Sequence, residues 1–252
     1  MKNTRLDQIR EYIEKHGKAT YEELQKLLPD VSTMTIRRDL TVLEEENVVI
    51  RVRNGAYSVD EISKKTEEQF IHRFSHNVNE KKEIAEKTIK LIDANTCIFI
   101  DSGSTTLYFA KELPNFGYYI VTNAINVATE LLRKSLPTVS LLGGDVSRNN
   151  LVTVGNSTLE FLGRINIQTA VMTSTGFSLE NGFSCGEQVE AEIKRAVIEK
   201  SNRVIMLLDS SKVNKNMPYT FAGLKNIDYL VVDKNFPKDI KEEIEKLGVK
   251  VI

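Results

Sequence analysis

The chain reads as an α/β protein in two parts, an N-terminal winged helix-turn-helix domain over residues 1–59 and a larger, mostly parallel α/β domain over residues 80–252. Three observations predict this. Helical apolar spacing with cap signals runs through the first part and gives way to two β-rich runs around Asn54-Gly55. From residue 80 onward, short apolar runs alternate with amphipathic stretches, the pattern of strands covered by helices. Between the two, residues 60–79 are densely charged and show no clear apolar period, which reads as a solvated linker becoming helical toward Glu80.

In the first part, Leu6, Ile9 and Ile13 recur at helical spacing and the pattern stops at His16-Gly17, where glycine can take the left-handed conformation that ends a helix. Thr20 and Glu23 have the form of a capping box, with Leu24, Leu27 and Leu28 as the expected buried face. Ser32 is the expected N-cap of a third helix whose inward stripe is Ile36, Leu40 and Leu43. Thr33, Met34, Thr35, Arg37 and Arg38 then project from its other faces. Two short helices with hydroxyls and paired arginines at the start of the second form the arrangement that enters a DNA major groove. Asn54-Gly55 predicts a type I′ hairpin, so that Arg51 and Arg53 ride on a wing beside the duplex.

Composition limits what else the chain can be. At 252 residues and 41% hydrophobic content it can bury a substantial core. No apolar stretch approaches the ~18 residues needed to cross a bilayer, and no charged start leads into an apolar run, so a cytoplasmic protein without a membrane partner is expected. Two cysteines without paired spacing and three histidines, all in the N-terminal third, make a metal site or cofactor unexpected. The net charge of −1 gives no global attraction to nucleic acid, and residues 1–60 carry ten Lys or Arg against eleven Asp or Glu. DNA binding must therefore rest on the local group Arg37, Arg38, Arg51 and Arg53, strengthened by the avidity of a homodimer or homotetramer.

The segment "VSTMTIRRDLTVLEEENVVIRVRNGA" resembles the winged helix of the DeoR family of bacterial sugar-metabolism regulators, with Thr-Ile-Arg-Arg-Asp-Leu as its most recognisable core. Ser32, Thr35, Ile36, Arg37, Arg38, Asp39 and Leu40 match the family pattern. Thr33 and Met34 stand where such families vary, which implies a role in choosing the operator sequence. The family's usual Gly-Gly-Ala wing turn is Asn54-Gly55-Ala56 here.

In the second part, helices are expected at 80–92, 106–113, 125–132, 188–200 and 238–247. Strands are expected at 96–100, 118–121, 138–142, 169–173, 204–208 and 229–232, with a last one at Val249. Ligands of such sheets bind beyond the carboxyl ends of the strands. Asp101-Ser-Gly-Ser-Thr-Thr106 offers Gly103, the hydroxyls of Ser104, Thr105 and Thr106, and the free amides of a helix start, a combination suited to phosphate. Asp101 serves either as a hydroxyl acceptor or as a cap for the following helix. Thr122-Asn123 closes the next strand with a hydrogen-bonding pair, and Gly143-Gly144 the one after. Asp209-Ser210-Ser211-Lys212 ends a fourth strand, and the ammonium of Lys212 is expected to reach the same phosphate from the neighbouring strand end.

Residues 80–252 resemble the DeoR effector domain through "EKKEIAEKTIKLI", "IFIDSGSTT", "VTNAINVATEL", "LLGGDV" and "LLDSSKV", and are similar, more distantly, to ribose-5-phosphate isomerase. The first resemblance implies a repressor with operator double-stranded DNA and a phosphorylated sugar as partners. The second implies an isomerase-like α/β effector domain and leaves an alternative, a sugar-phosphate isomerase fused to a DNA-binding module. Isomerisation needs a carboxylate base and supporting acids. The isomerase has an acidic strand end where this chain has Thr173-Ser174-Thr175-Gly176, and its base position falls on Lys194. Glu187, Glu190 and Glu192 are the carboxylates near enough to substitute. The absent acidic cluster favours a sensor with no catalytic residues. A third reading is a winged helix that binds only protein.

Overall fold

In the computed structural model, residues 5–46, 48–59 and 70–252 are described, and the chain divides into two compact units, Met1–Glu68 and Gln69–Ile252. The first half of the expected linker, residues 60–69, lies outside the described residues.

The first unit orders α1 (Arg5–His16), β1 (Lys18–Thr20), α2 (Tyr21–Leu27), α3 (Thr33–Glu45), β2 (Val49–Val52) and β3 (Gly55–Ser58), with the strands in antiparallel order β1-β3-β2. Ile9, Ile13, Leu24, Ile36, Leu40 and Leu43 are fully buried together, as their spacing requires. Leu27 departs from the expected stripe: it is 39% exposed, because α2 is only seven residues long and turns one edge inward through Leu24. Both N-caps form, with Thr20 and Glu23 completing the capping box and Ser32 accepting from the Thr35 amide.

The wing is a hairpin in a different register from the one expected. Val52 pairs with Gly55, so the two-residue turn is Arg53-Asn54, and Asn54 does not take the positive φ that a type I′ turn centred on Asn54-Gly55 demands. Gly55 is needed for another reason: a Cβ there would meet the Ala19 carbonyl oxygen at 2.0 Å. The glycine lets β3 pack against β1.

The second unit begins earlier than its sequence suggests. Phe70–Ser75 forms a short helix, α4, ahead of α5 (Val78–Ile89). Phe70 and Phe74, one helical turn apart, turn their rings into the core beside Tyr108, which draws residues 70–79 out of the linker role. Then come β4 (Cys97–Ile100), α6 (Ser104–Glu112), β5 (Tyr119–Thr122), α7 (Ile125–Leu131) and β6 (Thr138–Leu141). A hairpin β7 (Asp145–Ser147) and β8 (Val152–Val154), α8 (Asn156–Gly163), β9 (Ile167–Thr173), the hairpin β10 (Gly176–Ser178) and β11 (Gly182–Cys185), and α9 (Gln188–Lys200) follow. The chain closes with β12 (Ser201–Leu208), β13 (Tyr219–Ala222), β14 (Tyr229–Val232), α10 (Lys238–Lys246) and β15 (Lys250–Val251).

Seven of these strands make one parallel sheet in the order β15-β14-β12-β9-β4-β5-β6, so their carboxyl ends share one edge. Its strands are apolar on both faces. Ile98, Ile100, Val171, Ile205 and Leu207 pack with α5, α6 and α7 on one side, while Phe99, Met172, Val204, Met206 and Leu208 pack with α9 and α10 on the other. Each fully buried side chain of this size contributes about 1.5–3 kcal/mol. The two hairpins leave no pattern in the sequence, because their strands are three or four residues long, too short for alternation to show.

Candidate functional site

On the first unit, the expected DNA-contacting residues fall along α3 and the wing. Ser32, Thr33, Met34, Arg37 and Arg38 are exposed, and Met34 is 61% exposed, which for an apolar residue at a helix start leaves a side chain free for a base edge. Thr35 is half-buried and exchanges a hydrogen bond with Ser32 at 2.9 Å, and Thr33 donates to Gln25 at 3.0 Å. Arg37 stacks over the Tyr21 ring, 5.1 Å from its centroid, which orients its guanidinium. Asp39 is the buried charged member of the motif. It takes both forks of Arg5, Nε at 2.6 Å and Nη2 at 2.8 Å, and so ties α1 to α3.

The two wing arginines differ. Arg51 donates to Glu44 through its backbone N–H at 3.0 Å and its Nε at 2.6 Å, and to Thr41 at 2.9 Å. These bonds hold the Glu44 carboxyl below its usual range, the backbone bond foremost. Arg53, at the tip of the turn, keeps an exposed guanidinium with no such partner among the described residues. The basic group expected from sequence is thus reduced by one charge.

On the second unit, the loops at the carboxyl edge assemble as the sheet order dictates. β4 and β5 are neighbours, so Asp101–Thr106 and Thr122-Asn123 lie side by side. Helix α6 starts at Ser104 with Gly103 as its N-cap and no side-chain cap, leaving its first amides available. A Cβ on Gly103 would stand 2.0 Å from Cγ2 of Thr173, so only glycine lets this loop pass the end of β9. The hydroxyls of Ser104 and Thr105 carry no hydrogen bond among the described residues. Those of Thr106 and Thr122 are committed: Thr106 donates to the Asp101 and Gly103 carbonyls at 2.7 Å, and Thr122 donates to the Ile100 carbonyl at 2.7 Å. Asn123 donates to the Thr153 carbonyl at 3.1 Å, while its Oδ1 is buried with no hydrogen-bond partner among the described residues.

Two expectations about this edge need correction. Asp101 does not cap α6. Its carboxylate accepts the Thr173 N–H at 3.0 Å and the Lys194 ammonium, with both charged side chains nearly inaccessible. Lys212 is not on a strand next to the Asp101 loop either, because β9 lies between β4 and β12 and separates them by about 10 Å. It sits half-buried in the turn Ser210–Lys212, after Asp209 caps that turn through the Ser211 amide.

Lys194 is the residue that sequence reasoning placed but did not use. Besides Asp101 it reaches the Thr173 carbonyl at 3.2 Å and Glu190 Oε1 at 3.5 Å, which matches the three donors of an ammonium. Burial pulls its pKa down, but the charges of Asp101 and Glu190 outweigh that and hold it above the ordinary lysine value. A permanently charged ammonium accepts no proton. Of the three glutamates weighed as replacement bases, Glu192 is exposed and Glu187 half-buried. Glu190 is buried in this cluster, accepting from Ser102 at 3.3 Å and Asn150 at 2.8 Å. Ser102 belongs to the Asp101–Thr106 loop, whereas Asn150 and Arg73, which donates to Asn150, carry no motif that spacing could have revealed.

The chain matches the DeoR-like helix-turn-helix domain over residues 5–62 and the DeoR C-terminal sensor domain over residues 76–234. It is 31% identical to the HTH-type transcriptional regulator GolR of Listeria innocua, over 98% of this chain and 96% of that one. It is 30% identical to the HTH-type transcriptional repressor GlcR of Bacillus subtilis, over 98% of this chain and 95% of that one. Among solved structures, ribose 5-phosphate isomerase A of Methanocaldococcus jannaschii aligns at 16% identity and a TM-score of 0.41, over 54% of this chain and 55% of that one. With a winged helix followed by a sensor domain, both matched along nearly their whole extent, the chain belongs to the DeoR family of transcriptional regulators of sugar metabolism and is not an enzyme.

Proposed function

We propose that this regulator is a cytoplasmic, homo-oligomeric repressor of a carbohydrate-metabolism operon whose grip on operator DNA is changed by a phosphorylated sugar or sugar derivative. The observation that carries the reading is the pairing of unused groups on adjacent strand ends. The Ser104 and Thr105 hydroxyls stand at an uncapped helix N-terminus, and a buried, unpartnered Asn123 Oδ1 lies one strand away. The helix start suits a phosphate and the amide oxygen a sugar hydroxyl. Asp101, Gly103, Thr106 and Thr122 shape this site, and Lys212 borders it from across β9. Repression is supported by the name of the Bacillus subtilis relative.

The ligand must favour one state of the protein over another, since equal affinity for both would shift nothing. A thermal-shift screen of hexose and pentose phosphates against their unphosphorylated sugars tests the reading. A phosphorylated sugar should raise the melting temperature where its parent sugar does not. Equal shifts for both, or none across the panel, would refute the phosphate site.

A further inference from the structure

Helix α4 is the first described element after residues 60–69, which follow the winged helix in the chain. It is fastened to the carboxyl edge of the sheet at separate points. Its first amide, on Phe70, donates to the Asn149 carbonyl at 3.2 Å, and Tyr108 of α6 donates to the Phe74 carbonyl at 3.4 Å. Just beyond its end, Asn77 donates to Ser211 at 2.9 Å and Asp209 at 3.3 Å, on the loop after β12. From within the helix, Arg73 donates to Asn150, Asn150 donates to Glu190, and Glu190 accepts from Ser102 and faces Lys194, which holds Asp101.

Every member of this last chain is at least nine-tenths buried. The polar groups in it are bonded to one another where the dielectric is low, so changing the charge or position of one alters the best geometry of the next. Asp101 and Ser102 open the loop that leads to Ser104 and Thr105. Arg73 is at the other end, on the helix nearest the DNA-binding unit in sequence. Hydrophobic packing alone would have held α4 through Phe70 and Phe74; a buried chain of charged and amide groups is costly unless fully paired, and it specifies one seating.

We propose that α4 reports on the Asp101–Thr106 loop through the chain Asp101–Lys194–Glu190–Asn150–Arg73, with Asn150 as the positioning residue between the sensing loop and the helix. Movement of the loop re-seats Glu190, and the seating of Arg73 follows. The proposal rests on the reading of that loop as the effector site, but the coupling is a property of the protein itself and can be measured without ligand.

The test is hydrogen exchange by mass spectrometry on the full chain, following peptides from 70–77, 101–112 and 238–246. Asp101→Asn changes a residue four links from Arg73 along the bonded side chains, one with no hydrogen bond to α4 among the described residues. It should raise exchange at 70–77 by fivefold or more while leaving 238–246 unchanged. Ser102→Ala, a milder change suited to the case in which Asp101→Asn does not fold, should raise it about twofold. In Asn150→Ala, exchange at 70–77 should rise by itself, and adding Asp101→Asn should then raise it no further. Exchange at 70–77 that ignores both Asp101→Asn and Ser102→Ala, or effects that add fully on top of Asn150→Ala, would overturn the proposal. A parallel series with glucose 6-phosphate and fructose 1-phosphate as probes addresses the site separately. No protection at 101–112 with either would count against the effector reading, and leave the ligand-free coupling standing or falling on its own result.

Discussion

Lys194 and Asp101, 93 residues apart in sequence, form an ion pair whose two side chains are 4% and 3% exposed. It joins the end of β4 to helix α9. The pair is a charged contact with its partners saturated beneath the Asp101–Thr106 loop.

Lys194→Met should cost about 3–5 kcal/mol in urea unfolding, since it strands Asp101 and Glu190 as buried charges. Adding Asp101→Asn should return part of the loss. The pH dependence has a definite sign. The folded pKa lies above the unfolded lysine value of about 10.4, so the contribution of Lys194 is fully present below that value and is lost only as pH rises through the folded one. The stability gap between wild type and Lys194→Met should therefore stay constant from roughly pH 7 to 9 and begin to narrow only above the unfolded pKa of about 10.4. A gap that closes by neutral pH would mean the lysine is not held charged.

Gly103→Ala should destabilise the second unit by about 1–3 kcal/mol, the ordinary cost of forcing a methyl into packed space. The obstructing atom is Cγ2 of Thr173, so Thr173→Ser, which deletes that atom, should recover a large share in the double variant. Equal thermal unfolding midpoints for Gly103→Ala with and without Thr173→Ser would contradict the contact.

The wing arginines should separate in salt titrations against random duplex DNA. Arg53→Ala should lower the slope of log affinity against log salt by about one, as for a lost phosphate contact, while Arg51→Ala should change it less because Glu44 already neutralises that guanidinium. Arg37→Ala should instead weaken binding to a selected sequence by about 1–3 kcal/mol and relax its preference. Identical slopes for the two wing variants would show that Arg51 leaves Glu44 when DNA arrives.

Thr105→Glu should abolish the thermal shift given by a sugar phosphate, because a fixed carboxylate repels the ligand from an anion site and fills its space. Asn123→Ala should weaken the shift while leaving duplex binding intact, and Lys212→Ala should weaken it least, given its distance across β9. Circular dichroism checks that each variant folds. An undiminished shift in folded Thr105→Glu would move the phosphate site away from the start of α6.

Local order was legible in the sequence wherever it follows from neighbours along the chain. The helical stripes of α1 and α3, the capping box at Thr20 and Glu23, and the strand ends at Ile100 and Leu208 all stand where their spacing put them. Ser104 and Thr105, expected in the loop ahead of a helix at 106, instead open that helix. What the tertiary structure decided is which distant groups meet. Sheet order put β9 between the Asp101 loop and Lys212, packing of Phe70 and Phe74 turned part of the supposed linker into α4, and Glu44 claimed Arg51. Glu190 and Lys194 lie one turn apart on α9, but Asn150 and Arg73 come from two other segments and share no spacing with them. Their pairing exists only because burial in a low-dielectric interior leaves a charge no partner except the one that the fold brings to it.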